Sequence, residues 1–268
     1  YYARAQWPSP TFIFSQNTVY GIRYTEYEIR KMGYITIAFD DGYKDTFMHC
    51  AGFLRDKGVP ATFAAAPSFL GAELENRAVI DEKDILSLEK AGHEIASHTL
   101  THKNLLDVLL KEGESAVKNE MDASKTILTE VTGNEIHSMV FPFIDANNNR
   151  PLRTLASNYY KSSRITSEKI VFNRLPFKDP YSITGTAFTL EQTLAQMNEI
   201  AEMVRGRDLW LIEVFHLISE NNTKSAHRDE LYRFFTHIDI FKKHIDHILR
   251  KKIAFITQGE MVRKFYAH

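Results

Sequence analysis

Asp40 and Asp41 stand side by side at the end of an apolar run, Ile35-Thr36-Ile37-Ala38-Phe39, and Gly42 follows them. Neighbouring carboxylates buried together cannot both ionise without a cation or a proton between them, so a bound metal ion would relieve this pair. A regular strand points consecutive side chains to opposite faces. Gly42 permits a sharp turn that lets both carboxylates lean into one cavity. The plain alternative is a solvated Asp-Gly turn, which such dipeptides often mark.

A second segment, His93-Glu94-Ile95-Ala96-Ser97-His98-Thr99-Leu100-Thr101-His102, invites comparison with H-E-x-x-H, in which two helical histidines bind zinc around a glutamate base. The comparison fails because Ser97 stands four residues after His93. His98 and His102 do have that spacing, and a helical turn beginning there would place both imidazoles on one side. Two histidines and one aspartate leave coordination positions open for water and substrate, as in a catalytic zinc site. The same donor set describes ferrous oxygenases, whose antiparallel jelly-roll strands do not match the strand–helix alternation found below. Of the eleven histidines, His49, His93, His137, His227, His237, His244, His247 and His268 are read as structural or surface residues. A third segment, Asp208-Leu209-Trp210-Leu211-Ile212-Glu213-Val214-Phe215-His216, is an apolar strand ending in a histidine. Period-two counting puts Trp210, Ile212, Val214 and His216 on one face and Glu213 on the other. A histidine there can act as a general acid, since the side chain titrates near neutral pH, although the strand alone reads as core.

The elements that must position these residues alternate. Strand-like runs occur at Tyr34–Phe39, Ala61–Ala66, Glu94–Ser97, Ser138–Phe141, Tyr159–Ser163, Leu209–Phe215 and Ile253–Ile256. Between them, three- and four-residue spacing predicts helices over Thr46–Asp56, Lys83–Ala91, Gly113–Val131, Leu190–Val204 and Glu230–Leu249. Gly58 and Gly92 follow two of the expected helix ends and suit left-handed caps. This order implies mostly parallel strands with helices outside, as a barrel or an open doubly wound sheet. In either, sites form at the carboxyl ends of strands, where all three segments carry their polar residues. Residues 1–32 fit the alternation less well. Thr11–Tyr20 is aromatic and β-leaning, so 1–32 is expected to be an extension packed on a domain spanning 33–268.

The chain has 268 residues, of which 44% are hydrophobic, enough for one sizeable core. Basic and acidic residues nearly cancel, 33 against 34, and no block of one sign offers a footprint for nucleic acid or anionic lipid. The single cysteine, Cys50, cannot form an internal disulfide and says nothing about redox compartment. No run approaches the ~20 apolar residues of a membrane span. The first residues lack the charged start and apolar stretch of a secretory signal. Because the chain begins at Tyr1, processing or truncation is expected, with any targeting signal out of view.

These segments together resemble the polysaccharide deacetylases, the NodB-homology group also called carbohydrate esterase family 4. Ala38-Phe39-Asp40-Asp41-Gly42 is similar to the family's T-F-D-D-G, and His98-Thr99-Leu100-Thr101-His102 to its H-[ST]-x-x-H. The resemblance spans about Gly33 to Phe265. It implies a distorted (β/α) barrel of about seven strands, one divalent ion, most simply zinc, and hydrolysis of an acetyl group from a sugar. It assigns Asp40 as general base, Asp41, His98 and His102 as metal ligands and His216 as general acid. It implies a secreted, periplasmic or cell-surface protein with an acetylated carbohydrate as partner. The family's R-x-P-[YF] lines up with Val140-Phe141-Pro142-Phe143, so the arginine that steadies the base is a valine here, and Phe143 supplies the oxyanion N–H. The strand motif L-x-H is absent, since Val214 stands two before His216. No Asp–Trp motif backs that histidine unless Asp208 and Trp210 stand in. Arg164 is a candidate replacement for the missing arginine, with a surface or loop arginine as the alternative. Tyr43, Phe143, Tyr159, Tyr160, Tyr181 and Trp210 are aromatics available to stack on sugar rings, most of them expected in the core. A protein that keeps fold and metal but only binds carbohydrate is the competing expectation.

Overall fold

The computed structural model describes residues 18–19, 22–23, 33–143, 149–220 and 230–266. Seven strands form its centre: β1 (Tyr34–Phe39), β2 (Ala61–Ala65), β3 (Glu94–Ser97), β4 (Ser138–Val140), β5 (Ser162–Ser167), β6 (Ile183–Ala187) and β7 (Leu209–Phe215). Each pairs in parallel with the next, and β7 returns to β1, closing a barrel. The closure is uneven. β7 and β1 are in register from Trp210↔Tyr34 to Phe215↔Phe39, whereas β3 and β4 meet only at Ser97↔Met139.

Helices surround the barrel: α1 (Lys44–Asp56), α2 (Glu82–Lys90), α3 (Leu105–Lys111), α4 (Glu114–Thr132), α5 (Arg150–Ala156), α6 (Leu194–Glu202), α7 (Ile238–Arg250) and α8 (Gln258–Phe265). Strand alternation divides the core accordingly. Ile35, Ile37, Phe39, Phe63 and Phe215 join helix residues such as Phe47 and Phe241 in the outer layer. Tyr34, Ala38, Trp210, Ile212 and Val214 form a separate inner cluster. Gly58 and Gly92 have φ of 66° and 85° just past α1 and α2, as their sequence positions suggest. No helix among the described residues is long and apolar enough to cross a membrane.

Several element boundaries differ from those expected. The fifth strand begins at Ser162 rather than Tyr159, and β6 was not foreseen. The run at Ile253–Ile256 yields only β8 (Ala254–Phe255), which pairs with the amino-terminal half of β1 and is not a stave of the barrel. The helix expected over Glu230–Leu249 divides into a 3₁₀ turn, a short strand (Phe235–His237) and α7. His237 makes that break, because its Nδ1 accepts from the Asp239 N–H at 3.1 Å and caps α7. The helices α3, α5 and α8 were also not anticipated. The expected amino-terminal extension lies outside the described residues, apart from Thr18–Val19 paired antiparallel with Ile22–Arg23.

The start of α8 closes the barrel floor. Glu94 on β3 accepts from Thr62 Oγ1 at 2.8 Å, Ser138 Oγ at 2.5 Å and the Gly259 N–H at 3.0–3.1 Å. A carboxylate at a helix amino terminus also meets the positive end of the dipole. Gln258, fully buried, donates from its backbone to Thr62 Oγ1 and from Nε2 to Ser162 Oγ, each at 3.1 Å. A Cβ on Gly259 would lie 2.6 Å from Glu94 Oε1. Gly259→Ala is therefore expected to lower unfolding free energy by about 1–3 kcal/mol in urea titrations, and an unchanged midpoint would mean that α8 is not seated on Glu94.

Candidate active site

At the carboxyl end of β1 the ladder continues one step, with the Asp40 N–H donating to the Phe215 carbonyl at 3.2 Å. The register Phe39↔Phe215 therefore sets Asp40 beside His216 at the barrel mouth. Asp41 and Gly42 then take left-handed conformations, φ 73° and 81°, and reverse the chain into α1. The two carboxylates part company at this turn, and both are buried, at 2% and 4% exposure.

Asp41 faces the two histidines. Its Oδ1 lies 3.2 Å from His98 Nε2 and 3.1 Å from His102 Nε2. The Val140 carbonyl can only accept, so His98 Nδ1, at 3.0 Å, donates to that oxygen, and Nε2 is left facing Asp41, a donor to the carboxylate when the ring is protonated and a lone pair for a cation when it is neutral. Burial alone pushes the Asp41 carboxyl up. The hydrogen bonds from His102 and His98, with the charges of His216 and His102, outweigh it and hold the group well below the usual carboxylate range. Burial pushes His102 down, but the Asp41 hydrogen bond and charge prevail and raise it. One ligand atom from each of the three residues lies within 4.8 Å of the others, and this is the sole such cluster among the described residues. Converging lone pairs on one carboxylate oxygen and two imidazole nitrogens fit a divalent cation with open positions.

The geometry of the loop differs from a helical turn. Thr99 and His102 are left-handed, φ 63° and 53°, and the two imidazole centroids are 4.9 Å apart.

Asp40 faces the other way, toward Arg164. Its Oδ1 accepts from Arg164 Nη2 at 2.5 Å, with the arginine side chain fully buried. Arg164 Nη1 also donates to Thr166 Oγ1 at 2.9 Å. Val140 and Arg164 are register partners on β4 and β5, so the guanidinium enters the barrel from the strand beside the one on which the motif would place it. Gly185 on β6 gives it passage, since a Cβ there would be 3.1–3.2 Å from Arg164 Nη1 and Cδ and 2.6 Å from Val214 Cγ2.

The remaining candidates divide. Phe143 is 49% exposed, left-handed at φ 60°, and its ring lies 5.1 Å from that of His102. Pro142 is buried. His216 packs 4.8 Å from the Phe234 ring, and its buried Nδ1 has no hydrogen-bond partner among the described residues. Tyr43 is packed rather than presented, its hydroxyl donating to Glu75 Oε2 at 2.8 Å under the Arg77 guanidinium. Burial, then the charges of Asp41 and Glu75, push its pKa far up. Trp210 is not at the mouth. It is buried inside the barrel with Nε1 donating to Thr36 Oγ1 at 2.9 Å, and it stands six positions before His216 along the strand, about 20 Å away. Asp208 precedes β7 at that same far end, so neither residue can back His216. Tyr160 is core, its hydroxyl donating to the Met121 carbonyl at 2.6 Å, and Tyr181 donates to the Tyr160 carbonyl.

The histidines read as structural lie elsewhere: His93 against Phe63, His244 between Glu213 and Asn198, His247 on Glu202. His227 and His268 lie outside the described residues. Sequence reasoning missed Glu75, in the turn of a hairpin (Glu73–Leu74 with Arg77–Ala78), and Arg77, the first residue after that turn. The left-handed pair Glu75-Asn76 is a weak turn signal that could have revealed it.

The polysaccharide deacetylase family matches residues 28–161, half of the 268. Among curated proteins none matches the chain. Solved structures with this fold include the Xyl-CE4 domain of a multidomain xylanase from the hindgut metagenome of Trinervitermes trinervoides. It is 17% identical, with 87% of this chain and 91% of that one covered and a TM-score of 0.54. A family 4 acetyl xylan esterase from Clostridium thermocellum, solved with a cobalt ion, is 15% identical over 86% and 91%, TM-score 0.52. BA3943 of Bacillus anthracis, a CE4 family pseudoenzyme, is 10% identical over 87% and 66%, TM-score 0.50. At these identities the likeness is one of fold.

Removing Arg164 would strand a buried carboxylate. Arg164→Met is expected to cost about 3–5 kcal/mol of stability, and Arg164→Met with Asp40→Asn to recover much of that. Urea unfolding of the two variants and the parent checks this, and equal losses in both would show the pair is not coupled.

Proposed function

This chain belongs to the polysaccharide deacetylase family, and we propose that it is a metal-dependent hydrolase removing N- or O-linked acetyl groups from a polysaccharide or oligosaccharide. The observation that carries this reading is the division of labour between the adjacent carboxylates: Asp41 shares a donor cluster with two histidines while Asp40 is held apart by Arg164.

Asp41, His98 and His102 would hold the ion. Zinc is the simplest choice for two imidazoles and a carboxylate, and when bound it polarises an acyl carbonyl and lowers the pKa of water toward ~7. Asp40 takes the proton of the attacking water. Arg164 engages Oδ1, which orients the carboxylate and leaves Oδ2 for that proton. The Phe143 N–H, at a left-handed residue beside His102, donates to the oxyanion that develops on the former carbonyl oxygen. His216 protonates the departing amine or alkoxide. Phe143 is exposed at the rim and offers its ring to a sugar face. Residues 33–268 would form the catalytic domain, working outside the cytoplasm where such polymers occur.

A carbohydrate-binding protein with impaired catalysis is the second reading. It is favoured by His216, whose Nδ1 has no partner among the described residues, and by the fold shared with a pseudoenzyme. Arg164 on Asp40 counts against it, because binding alone has no use for an oriented base.

Acetate release from N-acetylglucosamine oligomers and acetylated xylan, with and without chelator and with metal content measured, separates the two. Chelation is expected to abolish release. Asp40→Asn should retain the metal and lose turnover by about 10²–10⁴-fold, whereas His98→Ala should lose both. Undiminished release by Asp40→Asn would remove Asp40 as the base, and one bound equivalent of metal with no release from any acetylated glycan would favour the binding reading.

A further inference from the structure

We propose that Glu120 and Ser124, one turn apart on α4, form a template that sets the conformation of the two-histidine loop, with Glu120 the positioning residue for His102. The proposal rests on the metal-site reading of Asp41, His98 and His102.

The loop needs such a device. Thr99 and His102 both hold left-handed conformations, which a side chain with a Cβ adopts only when its surroundings compel it. The two residues between them are those that Glu120 grips. Its backbone carbonyl accepts from the Leu100 N–H at 3.0 Å. Its carboxylate accepts the Thr101 N–H at Oε2, 2.8 Å, and the Thr101 hydroxyl at Oε1, 2.5 Å. Both oxygens of a carboxylate only 5% exposed are thus committed to one residue, the one before His102. Four residues along the helix, the Ser124 hydroxyl lies 2.7 Å from Ser97 Oγ, and Ser97 is the residue before His98. The i,i+4 repeat of a rigid helix face is therefore matched to the four-residue spacing of the histidines. Beneath both grips, Val117, Met121 and Leu128 anchor α4 in the core.

Groups that orient metal ligands set affinity, because a loop already in its bound conformation does not have to be ordered when the ion arrives. Glu120→Met, which keeps volume and removes both carboxylate bonds, is expected to weaken zinc binding to the metal-free protein by about 10–100-fold. Glu120→Gln should stay close to the parent, since its amide oxygen can accept the Thr101 N–H while its NH₂ donates to the Thr101 oxygen. Thr101→Val, losing one bond from the loop side, should fall between them. It serves as the test should Glu120→Met fail to fold. Zinc affinity by chelator competition is measured alongside urea unfolding of the same metal-free samples. Glu120→Met with lowered stability but parental zinc affinity would overturn the proposal, as would equal loss of affinity in Glu120→Met and Glu120→Gln. A parent protein that takes up no zinc would sink the metal reading itself, an outcome distinct from a template that fails.

Discussion

Two unit charges of like sign about 4 Å apart repel by roughly 4 kcal/mol at an effective dielectric of about 20, and Asp40 and Asp41 are consecutive and buried. Every feature of the barrel mouth answers that constraint. The left-handed step at Asp41 and Gly42 separates the carboxylates in direction, and each then meets its own positive or proton-bearing group. Asp41 turns to a pair of imidazoles and Asp40 to a guanidinium. Without that separation, one carboxyl would hold a proton, and the two could not take the separate roles proposed for them.

The guanidinium imposes a second constraint, on the barrel interior. Arg164 is among the largest fully buried side chains, and it lies where neighbouring staves carry small residues: Ala64, Ala96 and Val140 in one cluster, Gly185 on the far side. Because Val140 and Arg164 are register partners, arginines at both positions would press two guanidinium groups onto one carboxylate in a space cleared for one. The valine at 140 and the arginine at 164 are thus a single arrangement, with the charge carried on the next strand.

That arrangement accounts for what was legible in the sequence. The strands bearing Asp40, His98 and His216 are apolar runs ending in polar residues, and alternation within β7 sorted Trp210, Ile212 and Val214 from Glu213 as the clusters do. The stave at Ile183–Ala187 escaped notice because Ile-Thr-Gly-Thr-Ala is short and broken by a glycine, which ordinarily weakens a strand. Its glycine is there for Arg164, a contact between residues on different strands that no local pattern encodes. Ile253–Ile256 erred in the opposite sense. Its β-branched run is strand-like, yet β1 offers it only the edge left free before β2 begins its pairing at Ile37↔Ala61. Trp210 is a candidate for the substrate by aromatic type alone, whereas its place as the second residue of β7 already sets it at the end away from His216.

The histidine spacing illustrates a subtler limit. Four residues read naturally as one helical turn, and that reading brings the imidazoles together for the wrong reason. The backbone between them is held out of the helical region at Thr99 and His102, and the helical period resides in α4, whose Glu120 and Ser124 meet Thr101 and Ser97. A four-residue repeat in the loop and a four-residue repeat in a helix nineteen to twenty-seven positions away are two halves of one contact. Spacing can reveal that such a repeat exists. Which of the two segments is the helix depends on burial: α4 places Val117, Glu120, Met121, Ser124 and Leu128 on one buried face, whereas the loop meets that helix through Ser97, Leu100 and Thr101 and turns its imidazoles toward Asp41.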